Sequence, residues 1–126
     1  MELTTLTPSE RVIDIVHPVT QEPLGIKVTL VSIEDGRLKR IKRKIQDERF
    51  RLEAKGKHLK SEDVEENSFL ILHAAVTGWQ WSGDATFNGE KPEYNLKNLK
   101  EVLGKLPWMR SQIEEAIADE SAFFSV

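Results

Sequence analysis

Histidine is the residue type best suited to bind a metal ion or to transfer a proton near neutral pH. The chain has three histidines, His17, His58 and His73, and none is paired with another at metal-ligand spacing. His73 lies in an apolar stretch, where we expect a satisfied core residue, His17 precedes Pro18 in a turn, and His58 lies in a lysine-rich loop. A zinc site needs three or four convergent ligands. Because the chain also has no cysteine, we predict no metal site and no thiolate nucleophile.

Paired carboxylates are a second arrangement with chemical potential, since two convergent acids can act as general acid and base. The pairs Glu65-Glu66 and Glu114-Glu115 each fall on a predicted helix, where adjacent side chains point about 100° apart. Neither pair converges on one point. The chain has no glycine-rich phosphate loop, and Ser82-Gly83-Asp84 is a turn sequence rather than a nucleophile elbow. We therefore predict no catalytic residue, no cofactor and no enzymatic activity.

The strongest local feature is a basic run. Residues 37–60 contain eleven Lys or Arg against three Asp or Glu, a net charge of +8, while the rest of the chain contains seven against eighteen, a net charge of −11. Such segregation can steer association between copies or with a partner. The alternative is a solvated helix face whose charge is compensated within the same fold. Six of the eight residues from position 37 are basic: Arg37, Lys39, Arg40, Lys42, Arg43 and Lys44.

Nucleic-acid binding is another interpretation of the basic run. Three observations weigh against it. The whole chain is acidic, with a pI near 5.7. The run contains no interleaved aromatic residue that would stack on bases. No helix-turn-helix or RNA-binding signature surrounds it. We expect the partner to be protein, with no nucleic acid bound.

A chain of 126 residues is long enough for one hydrophobic core, so we predict a single domain over residues 1–126. Residues 12–16 are rich in β-branched side chains, and residues 26–31 largely alternate apolar and polar types. The intervening segment contains two prolines and a glycine. This pattern predicts a β-hairpin over 11–32. A hairpin alone is marginal in water, so it must pack on another element or pair with another chain.

The rest of the chain is mainly helical by its hydrophobic periodicity, which makes the predicted fold class α+β, with an N-terminal hairpin followed by about four helices. We predict helices over 37–55, 61–77, 96–103 and 107–120. The first has a thin apolar stripe, as expected for a helix only partly covered within its own subunit. The second begins with Ser61 as its N-cap and is apolar enough for the centre of the core. The stripe of the first helix consists of Leu38, Ile41, Ile45 and Leu52.

The aromatic residues lie mostly outside these helices. We predict that residues 79–94 form an irregular loop or a second short hairpin. We also expect at least one of Trp79 and Trp81 to point outward if that stretch is extended. Phe123 and Phe124 follow a charged helix. They either form an exposed tail that contacts another chain or fold back on the chain's own core.

Three segments of the chain resemble tail assembly chaperones of long-tailed (siphovirus-type) bacteriophages. Residues 17–26, HPVTQEPLGI, resemble the HP-x-T-x-x-P-L-G opening of that family, which leads into a strand and a charged helix. Residues 75–79, AVTGW, resemble the stretch where its central helix ends in Gly-Trp. Residues 94–99 and 106–113 resemble its short helix, Pro-Trp turn and final helix. The resemblance covers about residues 12–124 and depends on the order and spacing of the three segments.

The resemblance implies a late protein that self-associates into curved or ring-like arrays. Such a protein binds the tape measure protein and keeps it soluble while the tail tube assembles. The resemblance also implies contact with tail tube subunits through a longer form made by frameshifting, location in the host cell cytoplasm, and absence from the mature virion. The first alternative is a structural minor tail or head–tail connector protein, and the second is a nucleic-acid-binding regulator. No membrane partner is expected, because no stretch approaches the roughly 18 apolar residues of a membrane span.

The predicted interaction surface combines opposite charges with apolar contacts. We expect the basic helix 37–55 to meet the acidic segments 61–66 and 114–120 between neighbouring subunits. Charge would set the orientation and apolar contacts the affinity, because an exposed ion pair contributes only about 0–1 kcal/mol. The candidate residues are Arg37, Lys39, Arg40, Lys42, Arg43, Leu52, Glu62, Glu66, Trp108, Glu114, Glu115, Phe123 and Phe124.

Overall fold

A computed structural model of the chain describes residues 2–5 and 9–123. The described residues form a three-stranded antiparallel sheet and four α-helices, with short 3-10 helices at Leu3–Thr5 and Glu120–Phe123. The α+β class is therefore confirmed. The strands are β1 (Arg11–Val16), β2 (Pro23–Leu30) and β3 (Val76–Trp81). The helices are α1 (Gly36–Ala54), α2 (Ser61–Ala75), α3 (Leu96–Lys105) and α4 (Pro107–Ala118).

Strand β2 is the centre of the sheet, whose order is β1-β2-β3. The predicted hairpin is present: β1 and β2 are antiparallel, with Ile13 opposite Val28. His17 organises the connecting loop, because its Nδ1 accepts a hydrogen bond from the Val19 amide at 3.1 Å. Its own amide donates to the Glu22 carbonyl at 2.9 Å. His17 thus has a local structural role.

The third strand corrects the end of the predicted helix 61–77 and the first three residues of the segment 79–94, which was predicted as an irregular loop or a second short hairpin. Helix α2 ends at Ala75, and the chain continues directly into β3. The Val31 amide donates to the Ala75 carbonyl at 2.8 Å, which starts the pairing with β2. Val76 and Thr77 are β-branched, and Gly78 is a poor helix former. Once β2 offers a free edge, the strand is the favoured conformation for this segment.

Both tryptophans of β3 point toward the same face of the sheet, so the expectation that one of them points outward was wrong. Residues two apart in a strand share a face. Trp79 lies opposite Val28, and Trp81 lies opposite Ile26. The two indole rings meet edge to face, with centroids 5.9 Å apart. Trp81 is buried, and Trp79 packs against the core while partly exposed.

The core lies between this face of the sheet and helices α2, α3 and α4. α3 begins as predicted, with the Asn95 side chain accepting from the Asn98 amide at 2.8 Å, and α4 begins as predicted with Pro107 in its first turn. α3 continues past its predicted end at residue 103, with Gly104 inside it and Lys105 as its last residue. The largest fully buried core side chains are Ile15, Leu30, Leu99, Leu103, Met109, Ile113 and Phe123.

The two helices of the α1–α2 hairpin begin with different caps. The Asp35 side chain accepts from the Arg37 amide at 2.9 Å and caps α1. At α2 the cap position is Lys60, whose amide donates to the Asp63 carboxylate at 3.2 Å. Ser61, predicted as the cap, is therefore the first residue of the helix. Within the described part of the chain, none of the helices has the length and apolar character needed to cross a bilayer.

Candidate protein interaction site

Helix α1 lies at the periphery of the fold. It packs against α2, and none of its residues belongs to the central core cluster. Of the stripe residues only Leu38 is fully buried, while Ile41, Ile45 and Leu52 remain partly exposed. The prediction of a partly covered helix is confirmed, and the open side of α1 is available to a partner.

The N-terminal end of the basic run is compensated within the chain. The Arg37 guanidinium pairs with Asp35 at 3.0 Å and with Glu10 at 3.4 Å. Lys39 pairs with Glu34 at 2.6 Å. The hydrogen bond from Arg37 lowers the pKa of the Asp35 carboxyl below its usual value, despite the opposing effect of burial. Two of the predicted interface cations therefore already have acidic partners.

The next four cations of the run are different. Arg40, Lys42, Arg43 and Lys44 are all exposed, and none forms an ion pair with a residue in the described ranges. The charge run is therefore compensated only in part: Arg37 and Lys39 have acidic partners, whereas the next four cations have no ion-pair partner among the described residues. We call these four residues the cationic face.

An apolar groove runs between α1 and α2, with a volume of about 550 Å³. Val64 is 56% exposed although it is aliphatic, and His58 lies on the rim together with the ion pair of Arg49 and Glu53. We call this cavity the α1–α2 groove. Leu52 faces a second, smaller cavity on the same hairpin. The apolar lining of the α1–α2 groove is Ile45, Leu59, Val64 and Ile71.

The four predicted acidic residues divide equally. Glu66 pairs with Lys100 of α3, and Glu114 pairs with Arg110 one turn earlier on α4. Glu62 and Glu115 form no ion pair with any described residue. Of the four predicted acids, Glu62 and Glu115 are therefore the two without an ion-pair partner among the described residues.

Arg110 is a contact point between α2 and α4 that the sequence pattern did not indicate. Its guanidinium binds Glu65 at 2.7 Å and the Ser68 hydroxyl at 2.6 Å. It also lies 4.8 Å from the centroid of the Phe69 ring, a cation–π contact. Its remaining bond, to Glu114, is 2.7 Å long. The acidic surface of α2 is therefore tied to α4 of the same chain.

The aromatic candidates are more buried than an exposed tail would be. Phe123 is fully buried in the core, and its carbonyl accepts from the Ser9 amide at 2.7 Å. The fold-back alternative is correct for this residue. Phe124 lies outside the described residues. Trp108 is partly buried and packs against the core.

The described residues include no group of three or more His, Cys, Asp or Glu side chains that could hold a metal ion. His73 stacks on Tyr94 with ring centroids 5.6 Å apart.

No known protein family, curated protein or solved structure matches the chain. Its function is therefore inferred from its own surfaces and from the resemblance in its sequence.

Two exposed apolar residues of the α1–α2 hairpin were not predicted from the sequence, Phe50 and Val64, each 56% exposed. Phe50 is two positions from Leu52, so the two side chains point roughly 200° apart around the helix. The period of the stripe places Phe50 on the opposite side of α1. That spacing was the signal that could have identified an outward aromatic residue.

Proposed function

We propose that this protein is an assembly chaperone that self-associates and binds the tape measure protein, as in the phage tail assembly chaperones that it resembles. The observation that carries the proposal is the α1–α2 hairpin. This one hairpin presents an open apolar groove and an uncompensated cationic face. We propose no enzymatic activity and no cofactor.

The α1–α2 groove suits an amphipathic helix, whose apolar residues recur at i, i+3, i+4 and i+7. A tape measure protein is expected to be long, helical and apolar in part. Full burial of one Leu or Val side chain contributes about 1.5–3 kcal/mol. Two or three such side chains in each groove, repeated over many copies, would keep a long apolar chain in solution.

The cationic face has a different role, because exposed charges orient a complex and speed its formation more than they tighten it. In self-association it would meet exposed acidic side chains of a neighbouring copy that form no ion pair with a described residue, a set that includes Glu62, Asp84 and Glu115. Such contacts weaken as salt is added, since the Debye length falls to about 3 Å at 1 M. Self-association should therefore increase with protein concentration and decrease with ionic strength.

Light scattering over a range of protein concentrations, at low and high salt, tests self-association. We expect the triple substitution Arg40→Glu, Arg43→Glu and Lys44→Glu to abolish assembly and leave the helical content unchanged. The matched control changes the same amount of charge elsewhere: Lys27→Glu, Lys97→Glu and Lys105→Glu, all exposed. A monomeric wild type, or equal effects of the two triple variants, would contradict this part of the proposal.

Co-expression with a tape measure protein tests the groove. Val64→Arg places a charge in the groove at a side chain that is 56% exposed, and should return the tape measure protein to the insoluble fraction. Val12→Arg is the control, because Val12 is 58% exposed on β1, away from the groove. Equal solubility of the tape measure protein with both variants would argue against binding at this groove.

The four uncompensated cations also support a second candidate, a nucleic-acid-binding regulator. This candidate predicts retention on duplex DNA, with an affinity that falls steeply as salt is raised.

A structural minor tail or connector protein is distinguished by its presence in purified virions, where an assembly chaperone is not expected.

A further inference from the structure

A further cavity, of about 560 Å³, lies away from the α1–α2 hairpin, among residues of β2, β3, the loop after β3 and the start of α4. None of its lining residues belongs to α1 or α2. We call it the aromatic pocket. Its principal lining residues are Leu24, Trp81, Asp84, Phe87, Leu106 and Trp108.

The loop that forms one wall of the aromatic pocket is held in place by the chain itself. Phe87 and Glu90 exchange backbone hydrogen bonds of 2.7 and 3.2 Å. Asn88 and Gly89 between them have positive φ values of 53° and 81°, as in a tight two-residue hairpin turn. The Lys91 ammonium donates to two carbonyls of the same loop, at 2.9 and 3.2 Å. The pocket wall is therefore preorganised for an occupant.

Trp81 gives this pocket an unusual feature. It is 8% exposed, and its Nε1 is the one buried side-chain nitrogen or oxygen among the described residues that has no hydrogen-bond partner. The neighbouring Trp79 differs, since its Nε1 donates to the Pro92 carbonyl at 2.9 Å. A buried donor without an acceptor costs free energy. Because this nitrogen is itself buried, Trp81 contributes apolar ring surface to the pocket rather than an accessible donor.

The outer side of α1 carries a side chain that fits the aromatic pocket. Phe50 is 56% exposed, and the other large exposed apolar residues in the described ranges are aliphatic. Asp47 precedes Phe50 by about one helical turn and Arg43 by about two, or roughly 10 Å along the axis. Neither Asp47 nor Arg43 forms an ion pair with a described residue. This surface therefore offers an aromatic ring, a carboxylate acceptor and a cation together.

The rim of the aromatic pocket has the complementary charge. Asp84 is exposed at the rim and forms no ion pair within the described part of the chain. A cation on the incoming helix would face this carboxylate, while the aromatic ring meets Phe87 and Trp108. Aromatic residues in such pockets dominate the affinity of many protein interfaces.

We propose that Phe50 of one copy inserts into the aromatic pocket of a second copy, with Arg43 of the first copy facing Asp84 of the second. The two surfaces are different, so the contact is head to tail. Such a contact either closes into a ring or leaves one free Phe50 and one free pocket at the ends of an open array. Repetition of the contact extends the array. The inference rests on the proposed self-association and names its interface.

Two variants of the full-length chain test the contact by light scattering and sedimentation. Phe50→Ser removes the inserted ring from an exposed position, and Asp84→Arg reverses the exposed rim charge. We expect Phe50→Ser to raise the dissociation constant of self-association about tenfold or more. Asp84→Arg should raise this constant as well. Val12→Ser, at a side chain of similar exposure, is the control and should leave it unchanged.

Mixing provides the decisive measurement. The Phe50→Ser variant has an intact pocket but no ring to insert. The Asp84→Arg variant has an intact Phe50, but the arginine introduced at its pocket repels Arg43 of an incoming copy. A head-to-tail contact predicts that an equimolar mixture of these two variants gives discrete dimers, because one competent Phe50 meets one competent pocket. If wild type and Phe50→Ser assemble equally, the inference is overturned and self-association stands. If the mixture stays monomeric, the assignment of the pocket is overturned. A wild type that is monomeric under all conditions overturns both proposals.

Discussion

The Tyr94 hydroxyl lies 2.7 Å from the Val76 carbonyl oxygen and 3.2 Å from that of His73. It joins the segment before α3 to the point where α2 becomes β3. The Tyr94 ring also stacks on His73 and meets Trp79 edge to face at 5.1 Å. Burial raises the pKa of Tyr94 well above its usual value, so the phenol remains a protonated donor at physiological pH. The abrupt change from helix to strand is thereby fixed by a residue distant in sequence.

We expect Tyr94→Phe to lower the free energy of unfolding by about 1–3 kcal/mol, because partly buried carbonyls lose their donor. Urea denaturation followed by circular dichroism measures the change. Ser111→Ala is the control, since its exposed hydroxyl also donates to a backbone carbonyl, that of Pro107 at 3.1 Å, and should cost little. Equal losses in the two variants would mean that the Tyr94 hydroxyl has no special role at this junction.

The cap of α1 predicts a pH dependence. Because Arg37 lowers the pKa of Asp35 in the folded state, this carboxylate stabilises the fold above its unfolded pKa of about 3.9. That contribution is lost as the pH falls through the lower, folded pKa. Asp35→Ala should remove about 0.5–2 kcal/mol at pH 7. Asp35→Asn should keep the cap and lose part of the acid sensitivity. A wild type and Asp35→Asn with the same stability profile from pH 6 to pH 2 would contradict this explanation.

Gly25 and Gly104 predict opposite effects of the same substitution. Gly25 has a φ of 88°, and a Cβ there would lie 2.6 Å from the Ser82 carbonyl oxygen. Gly25→Ala should therefore lower stability by at least about 1 kcal/mol and weaken the pairing of β2 with β3. Gly104 lies inside α3 with no atom within 4 Å of an added Cβ. Gly104→Ala should raise stability by about 0.5–1 kcal/mol. Melting temperatures of the two variants are the measurement, and shifts of the same sign would refute the prediction.

Local signals in the sequence predicted what local interactions decide. The β-branched run of β1, the alternation of β2 and the periodicity that placed α3 and α4 each act within a few residues, and each of these elements is present in the structure. β3 was not predicted, because its formation depends on the edge of β2 about fifty residues earlier. Tertiary pairing overrode an apolar pattern that equally suited a longer helix.

That α1 is an interaction helix stays a prediction from the basic run. Only the tertiary structure shows which cations of that run already have acidic partners within the fold. Lys39 forms an ion pair with Glu34, which precedes the start of α1. Arg43, four residues later, forms no ion pair with a residue in the described ranges. The α1–α2 groove depends on how α2 packs on α1, which no periodicity specifies. Phe50 was the exception, since its offset from the stripe was visible in the spacing.

The outer edge of β1 is capped at Val16 by a side chain of α4. Gln112 of α4 accepts from the Val16 amide at 2.9 Å and donates to the Val16 carbonyl at 2.8 Å. The side-chain amide of Gln112 thus makes the two hydrogen bonds that a residue of a neighbouring strand would make. Unpaired backbone groups at a sheet edge can pair with another chain, and here those of Val16 are occupied. We expect Gln112→Ala to lower the free energy of unfolding by about 1–3 kcal/mol and to speed hydrogen exchange at the Val16 amide.

Gln112→Glu separates the two hydrogen bonds from the packing of the side chain. At neutral pH the carboxylate can accept from the Val16 amide but faces the Val16 carbonyl with a second negative oxygen, so the ionised form is disfavoured and the folded-state pKa of this Glu rises. Stability that is lost at pH 7 should then return as the pH falls and the acid regains a donor proton. Hydrogen exchange at Val16 should slow over the same pH range after correction for the intrinsic rate. If Gln112→Glu is as stable as wild type at pH 7, the donated bond contributes nothing, and packing of α4 alone protects the edge of β1.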